Sequence, residues 1–472
     1  MKNLFVSVIF SFLFLGCSLI PKIEKNEMIE IKNSNDNTPT SFKFESNKWW
    51  ENYNDVNLTS LINLTLEGNP DLKVAQYNIQ KSIEAINLAA AQGGLSVDMV
   101  GGAERQRLPR IISESFPMVR DYVPKLLNTG ELNLQATYNL DLFNKIGALE
   151  EEAKYKAQAT SLSKEYTQLN ISTQIAKLYQ YWTYLQIEKA NLMTQYVIVQ
   201  ELLKIQTQNY NSGNGIKQDV LNSESQVKNL ENLINQNKTN QETTLNSFKS
   251  LAGNKNIDKI TAILKGVSDN QNVNIIVPKE VNSDIIVNRP DIQYYLMLIK
   301  AQEKQLESAK AGFYPQFSIT GKYGFNAVGL DKVLHKNTLA GLIGASVYLP
   351  IFHMDAIRST YKIAGIDLNI IIEKYNQEVI NAFVNVNNEL YKTNSLEEIV
   401  AKQDEIMKIQ ESAFNNTAMN YQIGNLSKND YLMANLQWLN NELKNKQQHF
   451  NLASQKIDFI NSVGGIYIGG NK

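Results

Sequence analysis

Few side chains in this sequence could carry covalent or metal chemistry. The 472 residues include one cysteine, Cys17, and three histidines, His335, His353 and His449. They lie far apart and share no ligand spacing, so neither an internal disulfide nor a Cys/His metal site is expected. Carboxylates are plentiful but fall as they do on solvated helix faces. No glycine-rich phosphate loop and no nucleophile with an adjacent base stands out, so the sequence does not read as an enzyme. Basic and acidic residues balance at 46 and 47. That leaves no electropositive footprint for nucleic acid.

The chemistry open to Cys17 is set by what precedes it. Lys2 is followed by an apolar run from Leu4 to Leu15, and the segment closes as Phe14-Leu15-Gly16-Cys17. A positive start, a short apolar core and a small residue at the cleavage point describe an export signal over residues 1–16, which lies outside the fold. Gly16-Cys17 resembles a bacterial lipobox, with Phe14 where leucine is usual. A plain secretory signal with an incidental cysteine is the alternative. As a lipobox it makes Cys17 the acylated N-terminus, and each buried CH₂ of the acyl chains contributes ~0.8 kcal/mol of anchoring. Apart from this covalent lipid, no cofactor is implied. Ser18 is not the aspartate that retains lipoproteins in the inner membrane, so the resemblance implies outer-membrane sorting.

Two polar turns are the other candidates for function. They are Tyr210-Asn211-Ser212-Gly213-Asn214-Gly215-Ile216-Lys217-Gln218-Asp219 and Tyr421-Gln422-Ile423-Gly424-Asn425-Leu426-Ser427-Lys428-Asn429-Asp430. Gly213 and Gly424 can take the left-handed conformation that ends a helix. Asn and Ser can start the next one. These turns read first as helical hairpins.

The elements that hold the turns are duplicated. Asn69-Pro70-Asp71-Leu72 recurs as Arg289-Pro290-Asp291-Ile292, and Ala89-Ala90-Ala91 as Ala309-Lys310-Ala311. Leu140-Asp141-Leu142-Phe143 recurs as Leu349-Pro350-Ile351-Phe352. The first turn recurs as the second, and Leu251-Ala252-Gly253 as Val463-Gly464-Gly465. The order is the same in both halves. Each half reads helix, strand, strand, long helix, turn, helix. Strand alternation is clear in 316–327 and 131–142, and weaker in 95–105 and 341–351. The helices carry coiled-coil stripes such as Tyr361, Ala364, Leu368, Ile371, Tyr375, Val379 and Phe383. Residues 144–210 and 355–421 are expected as helices of roughly 100 Å at ~1.5 Å per residue. The shorter helices 217–251 and 70–92, and likewise 428–463 and 291–311, would stack end to end beside them.

After the signal no apolar stretch is long enough for a membrane helix, so any crossing must be closed β-structure. Four strands cannot close a barrel alone, since single-chain barrels start at about eight. An oligomer is therefore required.

Trp49-Trp50, Asn69-Pro70-Asp71-Leu72, Tyr138 to Phe143, Arg289-Pro290-Asp291 through Ala309 to Pro315, and Leu349-Pro350-Ile351-Phe352 resemble the TolC-like outer membrane efflux family, in its lipidated branch. The resemblance covers nearly the whole mature chain. It implies a mainly α fold with a membrane β-barrel. Three chains would close a twelve-stranded outer-membrane barrel, four strands from each, continuous with a periplasmic α-helical coiled-coil tunnel. It implies a homotrimer in outer-membrane lipid that docks to a periplasmic adaptor and an inner-membrane transporter of the resistance-nodulation-division type. The duct would export small molecules; a duct for type I protein secretion is the alternative from the same fold. The organisation expected is a signal over 1–16, an anchor and N-terminal segment over 17–68, repeats over 69–265 and 289–465 joined by 266–288, and a tail over 466–472. In such a duct the turns form the periplasmic mouth. Tyr210, Gly213, Asn214, Gly215, Tyr421, Gly424, Asn425 and Leu426 would then meet the adaptor. The resemblance puts an acidic constriction at Asp430, with Asp219 its first-repeat equivalent. Where the family often has a second acid, Met433 stands.

Overall fold

The structure is a computed structural model that describes residues 20–31, 48–107, 126–253, 255–267, 277, 281, 283–350 and 354–465. The export signal, Cys17, Ile351, Phe352, His353, most of the 266–288 linker and the 466–472 tail lie outside the described residues. In chain order the elements are α1 (Val56–Gly68), α2 (Pro70–Ala91), β1 (Leu95–Arg107), β2 (Leu126–Leu140), α3 (Lys145–Asn211), α4 (Lys217–Ala252), α5 (Ile257–Lys265), α6 (Pro290–Ala311), β3 (Gln316–Val328), β4 (Leu339–Tyr348), α7 (Met354–Gln422) and α8 (Lys428–Ser462). The two halves are thus α2-β1-β2-α3-α4 and α6-β3-β4-α7-α8, as the repeat requires. Helices α1 and α5 are additions that the sequence pattern does not announce.

The long helices begin and end within one or two residues of expectation. The second strand does not. It runs over 126–140 rather than 131–142, because Asp141 is a helix cap and not a strand residue. Its carboxylate accepts hydrogen bonds from the N–H groups of Lys145 (2.7 Å), Ile146 (3.0 Å) and Gly147 (2.7 Å). Three donors at the N-terminus of α3 that would otherwise lack partners are satisfied by one side chain.

The chain divides into two compact units. The first comprises residues 1–28, 79–160 and 295–375 and contains the sheet, antiparallel in the order β1-β2-β3-β4. Its register sets Met99 opposite Leu134, Leu134 opposite Tyr323 and Tyr323 opposite Gly341.

The second unit comprises residues 29–78, 161–294 and 376–472. Its core near the chain start is built on Trp49, Trp50, Leu58, Leu61 and Ile62, none more than 2% exposed. The Trp49 indole N–H donates to Ser172 Oγ at 2.8 Å. Burying each such side chain contributes ~1.5–3 kcal/mol, which is why so short a helix as α1 is held at all.

The same unit brings the repeated motifs into contact. Asn69 caps α2, accepting from Leu72 N at 3.0 Å, and donates through Nδ2 to the Leu251 carbonyl at the end of α4, at 2.7 Å. Arg289 precedes α6 and donates to the Ser462 carbonyl at the end of α8. Each joint closes on a glycine in the left-handed region, Gly253 at φ 63° and Gly464 at φ 82°. Leu251 therefore matches Ser462, one residue away from the alignment that the sequence suggests.

Candidate functional site

The register sorts the sheet into two unlike faces. Leu95, Val97, Met99, Gly101 and Ala103 of β1 share a face with Leu132, Leu134, Ala136, Tyr138 and Leu140 of β2. Phe317, Ile319, Gly321, Tyr323, Phe325 and Ala327 of β3 and Leu339, Gly341, Ile343, Ala345 and Val347 of β4 complete it. This face carries no charge over those positions. It is also open: Met99 is 71% exposed, Tyr323 60% and Ile343 83%. The opposite face carries Asp98, Glu131, Asn133, Gln135, Thr320 and Lys322. Hydrogen bonds run across it from Asn133 Nδ2 to Asn326 Oδ1 (3.2 Å) and between the Ser318 and Ser346 hydroxyls (2.7 Å). The usual arrangement in water, polar side out, is not what the exposures show. Among the described residues β1 and β4 are edge strands. A long apolar sheet with open edges aggregates in water unless something pairs and covers it.

The two hairpin tips have the same backbone. Gly213 sits at φ 78° and Gly424 at φ 81°, each with open space where a Cβ would be. The N–H of Asn214 donates to the Asn209 carbonyl at 2.8 Å, and that of Asn425 to the Asn420 carbonyl at 2.9 Å. These six-residue closures satisfy the last carbonyls of α3 and α7. Gly215 is there for close approach: a Cβ would lie 3.2 Å from Tyr210 N. Leu426, its counterpart, is half-buried.

The chemistry at the tips differs. Ile216 offers no side-chain cap to α4. Ser427 does cap α8: its Oγ accepts from Asp430 N at 3.1 Å and donates to Asp430 Oδ2 at 2.7 Å. Asp430 and Met433, one turn apart, are both exposed, while Asp219 is half-exposed. Tyr210 lies under the Lys217 ammonium, 5.6 Å from ring centre to Nζ. Tyr421 stacks on Tyr431 at 4.8 Å.

Other residues at the second tip were not foreseen. Lys428 Nζ meets Glu201 Oε1 of α3 at 2.6 Å. Their hydrogen bond holds the Glu201 carboxyl below its ordinary range and the Lys428 ammonium above. Gln206 Nε2 donates to Asn429 Oδ1 at 2.9 Å. Beneath them Ile198 and Leu202 of α3 pack with Leu432 and Leu439 of α8. On α3's other flank, Leu192 and Val199 pack with Val227 and Leu230 of α4. Phe414 stacks on both Tyr431 (5.9 Å) and Trp438 (5.4 Å). Leu203, Val220 and Val227 occupy the corresponding positions 211 residues earlier, so comparing the halves was the available signal.

Of the histidines within the described residues, His335 accepts from Asn337 N in the β3–β4 connection, and His449 Nε2 lies 2.8 Å from Asp404 Oδ1. No group of three His, Cys, Asp or Glu side chains able to hold a metal occurs among the described residues. No helix among them is long and apolar enough to cross a membrane.

The fold is shared with solved outer-membrane channels. The structure of the CmeC outer membrane channel from Campylobacter jejuni matches with a TM-score of 0.77 at 20% identity, over 96% of each chain. In sequence the chain is 23% identical to the antibiotic efflux pump outer membrane protein ArpC of Pseudomonas putida, over 90% of this chain and 87% of that one. It is 25% identical to the multidrug resistance outer membrane protein MdtP of Escherichia coli, over 96% and 94%. The outer membrane efflux protein model matches residues 61–254 and 281–464. The chain belongs to the outer membrane efflux protein family.

Proposed function

We propose that the protein is the passive exit duct of a tripartite efflux pump. Three copies close a twelve-stranded barrel in the outer membrane, each acylated at Cys17, above a helical tunnel reaching into the periplasm. The sheet carries this reading: its apolar face, uncharged on β1 from Leu95 to Ala103 before Arg105 and Arg107 close it, is exposed and its edges are open, which is stable only where lipid replaces water and further strands pair the edges. Small toxic molecules enter from an inner-membrane transporter of the resistance-nodulation-division type through a periplasmic adaptor seated on the tips. Tyr210, Gly213, Asn214 and Gly215, with Tyr421, Gly424, Asn425 and Leu426, form that seat. The names of ArpC and MdtP, antibiotic efflux and multidrug resistance, favour this over a duct for secreted proteins.

Asp430 is the constriction residue in this reading, with Asp219 second. The exposed carboxylate of Asp430 is free to face a pore, although one oxygen also accepts from Ser427. Three such groups attract cations and repel one another by ~1 kcal/mol per pair at about 4 Å in bulk water, and more where water is scarce. The test is conductance of the purified protein in planar bilayers with and without a divalent cation. The parent should migrate as a trimer, conduct and be blocked. Asp430→Ala should weaken the block severalfold with trimer yield unchanged, because the backbone bond that caps α8 remains. A stable monomer in mild detergent with an intact β signal would refute the duct. An unchanged blocking constant would move the constriction to Asp219.

A further inference from the structure

On the outward face of β1 the apolar residues end at Ala103, and Arg105 and Arg107 follow, both exposed. Alternation turns Glu104 and Gln106, the residues between, to the polar face. The acid of this stretch thus faces one way and both bases the other. The arginines that form ion pairs among the described residues are Arg289 and Arg358. Neither Arg105 nor Arg107 has an acidic partner there. Their height follows from the strand. Leu95 and Arg105 are ten residues apart, ~33 Å of strand at ~3.3 Å each. Tilted by ~40°, as strands of outer-membrane barrels are, that length rises ~25 Å, the height of a barrel's apolar band. Leu95 marks the end joined to α2 and pairs with Tyr138, an aromatic of the kind found at a membrane interface. Arg105 stands at the opposite interface. The β3–β4 connection adds charge of the same sign. Gly329 N donates at 2.8 Å to the carbonyl of Asn128, the partner of Arg105 across the ladder. Two strand spacings of ~4.8 Å put the start of the connection ~10 Å from Arg105. Gly130, on the apolar face, lies under Leu330 and Val333, and a Cβ there would strike Val333 Cγ2. The connection therefore folds over the outward side. Residues 329–338 carry Lys332, His335 and Lys336 against one acid, Asp331, and both lysines are exposed.

The geometry points to a binding site for the phosphate-bearing headgroup of an outer-leaflet lipid, held by Arg105 and Arg107 with Lys332 beside them. It rests on the barrel proposed above, which sets the end of the sheet remote from the helices in the outer leaflet. A guanidinium meets phosphate oxygens through a planar fork of N–H donors, which an ammonium cannot do. Residues i and i+2 of a strand stand ~7 Å apart on one face, so the two forks bracket one headgroup. Acyl chains of the same lipid then lie along Ala103, Gly101 and Met99. A free phosphate would gain the charge and lose that apolar contact, so a lipid is the ligand this arrangement favours.

Native mass spectrometry of the purified full-length protein, titrated with lipid A that carries two phosphates, tests the site. The parent should take up one lipid per chain. Each cation near an anionic headgroup contributes about fivefold in affinity, so Arg105→Gln and Arg107→Gln together should weaken binding about thirtyfold. Removing the phosphates from the lipid should cost the parent about as much. Lys322→Gln takes a charge from the opposite face of the same sheet and should leave binding unchanged. Inorganic phosphate in excess should not displace the lipid; displacement would mean a free-phosphate site and overturn the lipid. Equal binding of the phosphorylated and dephosphorylated lipid, or equal losses in Lys322→Gln and the double variant, would overturn the site itself. Where the parent forms trimers and conducts in bilayers of neutral lipid, those failures count against this site alone. A parent that stays monomeric there would refute the duct, and the lipid site with it.

Discussion

Placing an arginine at Met99 tests the claim that the apolar sheet face meets lipid. Met99 is the third of five outward residues in Leu95–Ala103 of β1, is 71% exposed, and lies in one row with Leu134, Tyr323 and Gly341. No side chain in that row offers a charge to pair with. An arginine on the lipid face near the bilayer middle destabilises a barrel by ~2–4 kcal/mol. In three copies that is ~6–12 kcal/mol per trimer, and per chain about 30- to 700-fold in the folding equilibrium. Asp98→Arg is the internal control. It is the adjacent residue, equally placed along the strand, but on the polar face opposite Gln135. It should change stability by no more than ~0.5 kcal/mol, as surface changes do. The assay is a urea titration of folding into lipid vesicles, followed by the gel mobility of the unboiled trimer. The midpoint should fall sharply for Met99→Arg and stay near the parent for Asp98→Arg and Met99→Leu. Equal losses at 98 and 99, or no loss at 99, would mean that the apolar face does not contact lipid.

Arg289→Met should lower the thermal dissociation midpoint strongly, at a cost of ~3–5 kcal/mol, because it strands the buried Asp291 carboxylate and frees the Ser462 carbonyl; a loss under about 1 kcal/mol would show that the joint does not depend on this contact. Glu378 has its carboxyl held above the usual range, first by burial and then by the charge of Asp291, with Arg289 opposing. A raised folded-state value contributes stability that is complete below the unfolded glutamate value, ~4.3, and lost as pH rises through the folded one. Glu378→Gln should therefore be neutral near pH 4 and stabilising near pH 8 in calorimetry, and the same difference at both would contradict it. Gly424→Ala and Gly213→Ala should each cost ~1–2 kcal/mol, read as faster hydrogen exchange confined to the substituted tip, because both glycines have positive φ and neither has a neighbour for the methyl to strike. A clearly unequal cost at the two tips would point to packing instead of backbone conformation.

The long helices were legible because nothing interrupts them: residues 145–211 and 354–422 hold no proline, and their apolar stripes step by three and four. Strand alternation told which residues of one strand share a face, but register needs the partner strand, and only pairing shows that Met99, Leu134 and Tyr323 form one row. Asp141 misled because an acid closing an alternating run looks like its last polar member; its use as a helix cap depends on the chain turning back over its own carboxylate. The contacts Asn69–Leu251 and Arg289–Ser462 join residues 182 and 173 apart, and no local pattern links them. The motifs were visible as repeats without any sign that they touch. The N-terminal segment was missed for a related reason. Its sequence is short and polar, and the side chains that hold it, Glu303, Asn369 and Glu373, stand 278 to 347 residues from the groups they bind.

The two halves meet one geometric requirement with different groups, and the difference has a physical consequence. At each joint a donor must reach a last-turn carbonyl of the returning helix. Asn69 does so as a neutral amide, and Asp71 beside it stays exposed. Arg289 does so with a charge, only 5% exposed, and a buried charge requires a counterion. Asp291 supplies it with two hydrogen bonds, at 3.0 Å and 2.5 Å, and is buried in turn. A second acid, Glu378, then lies against the pair and is pushed toward its protonated form. Ionisation therefore enters the second joint as a chain of necessity that starts from one substitution, amide to guanidinium, and the first joint has none of it. The tips diverge in the same way. Lys217 lies over Tyr210 within its own hairpin, whereas Lys428 reaches Glu201 in the other. At the joints and tips backbone geometry is common to the halves, whereas ion pairing, and with it sensitivity to pH and salt, is found at the second joint and the second tip.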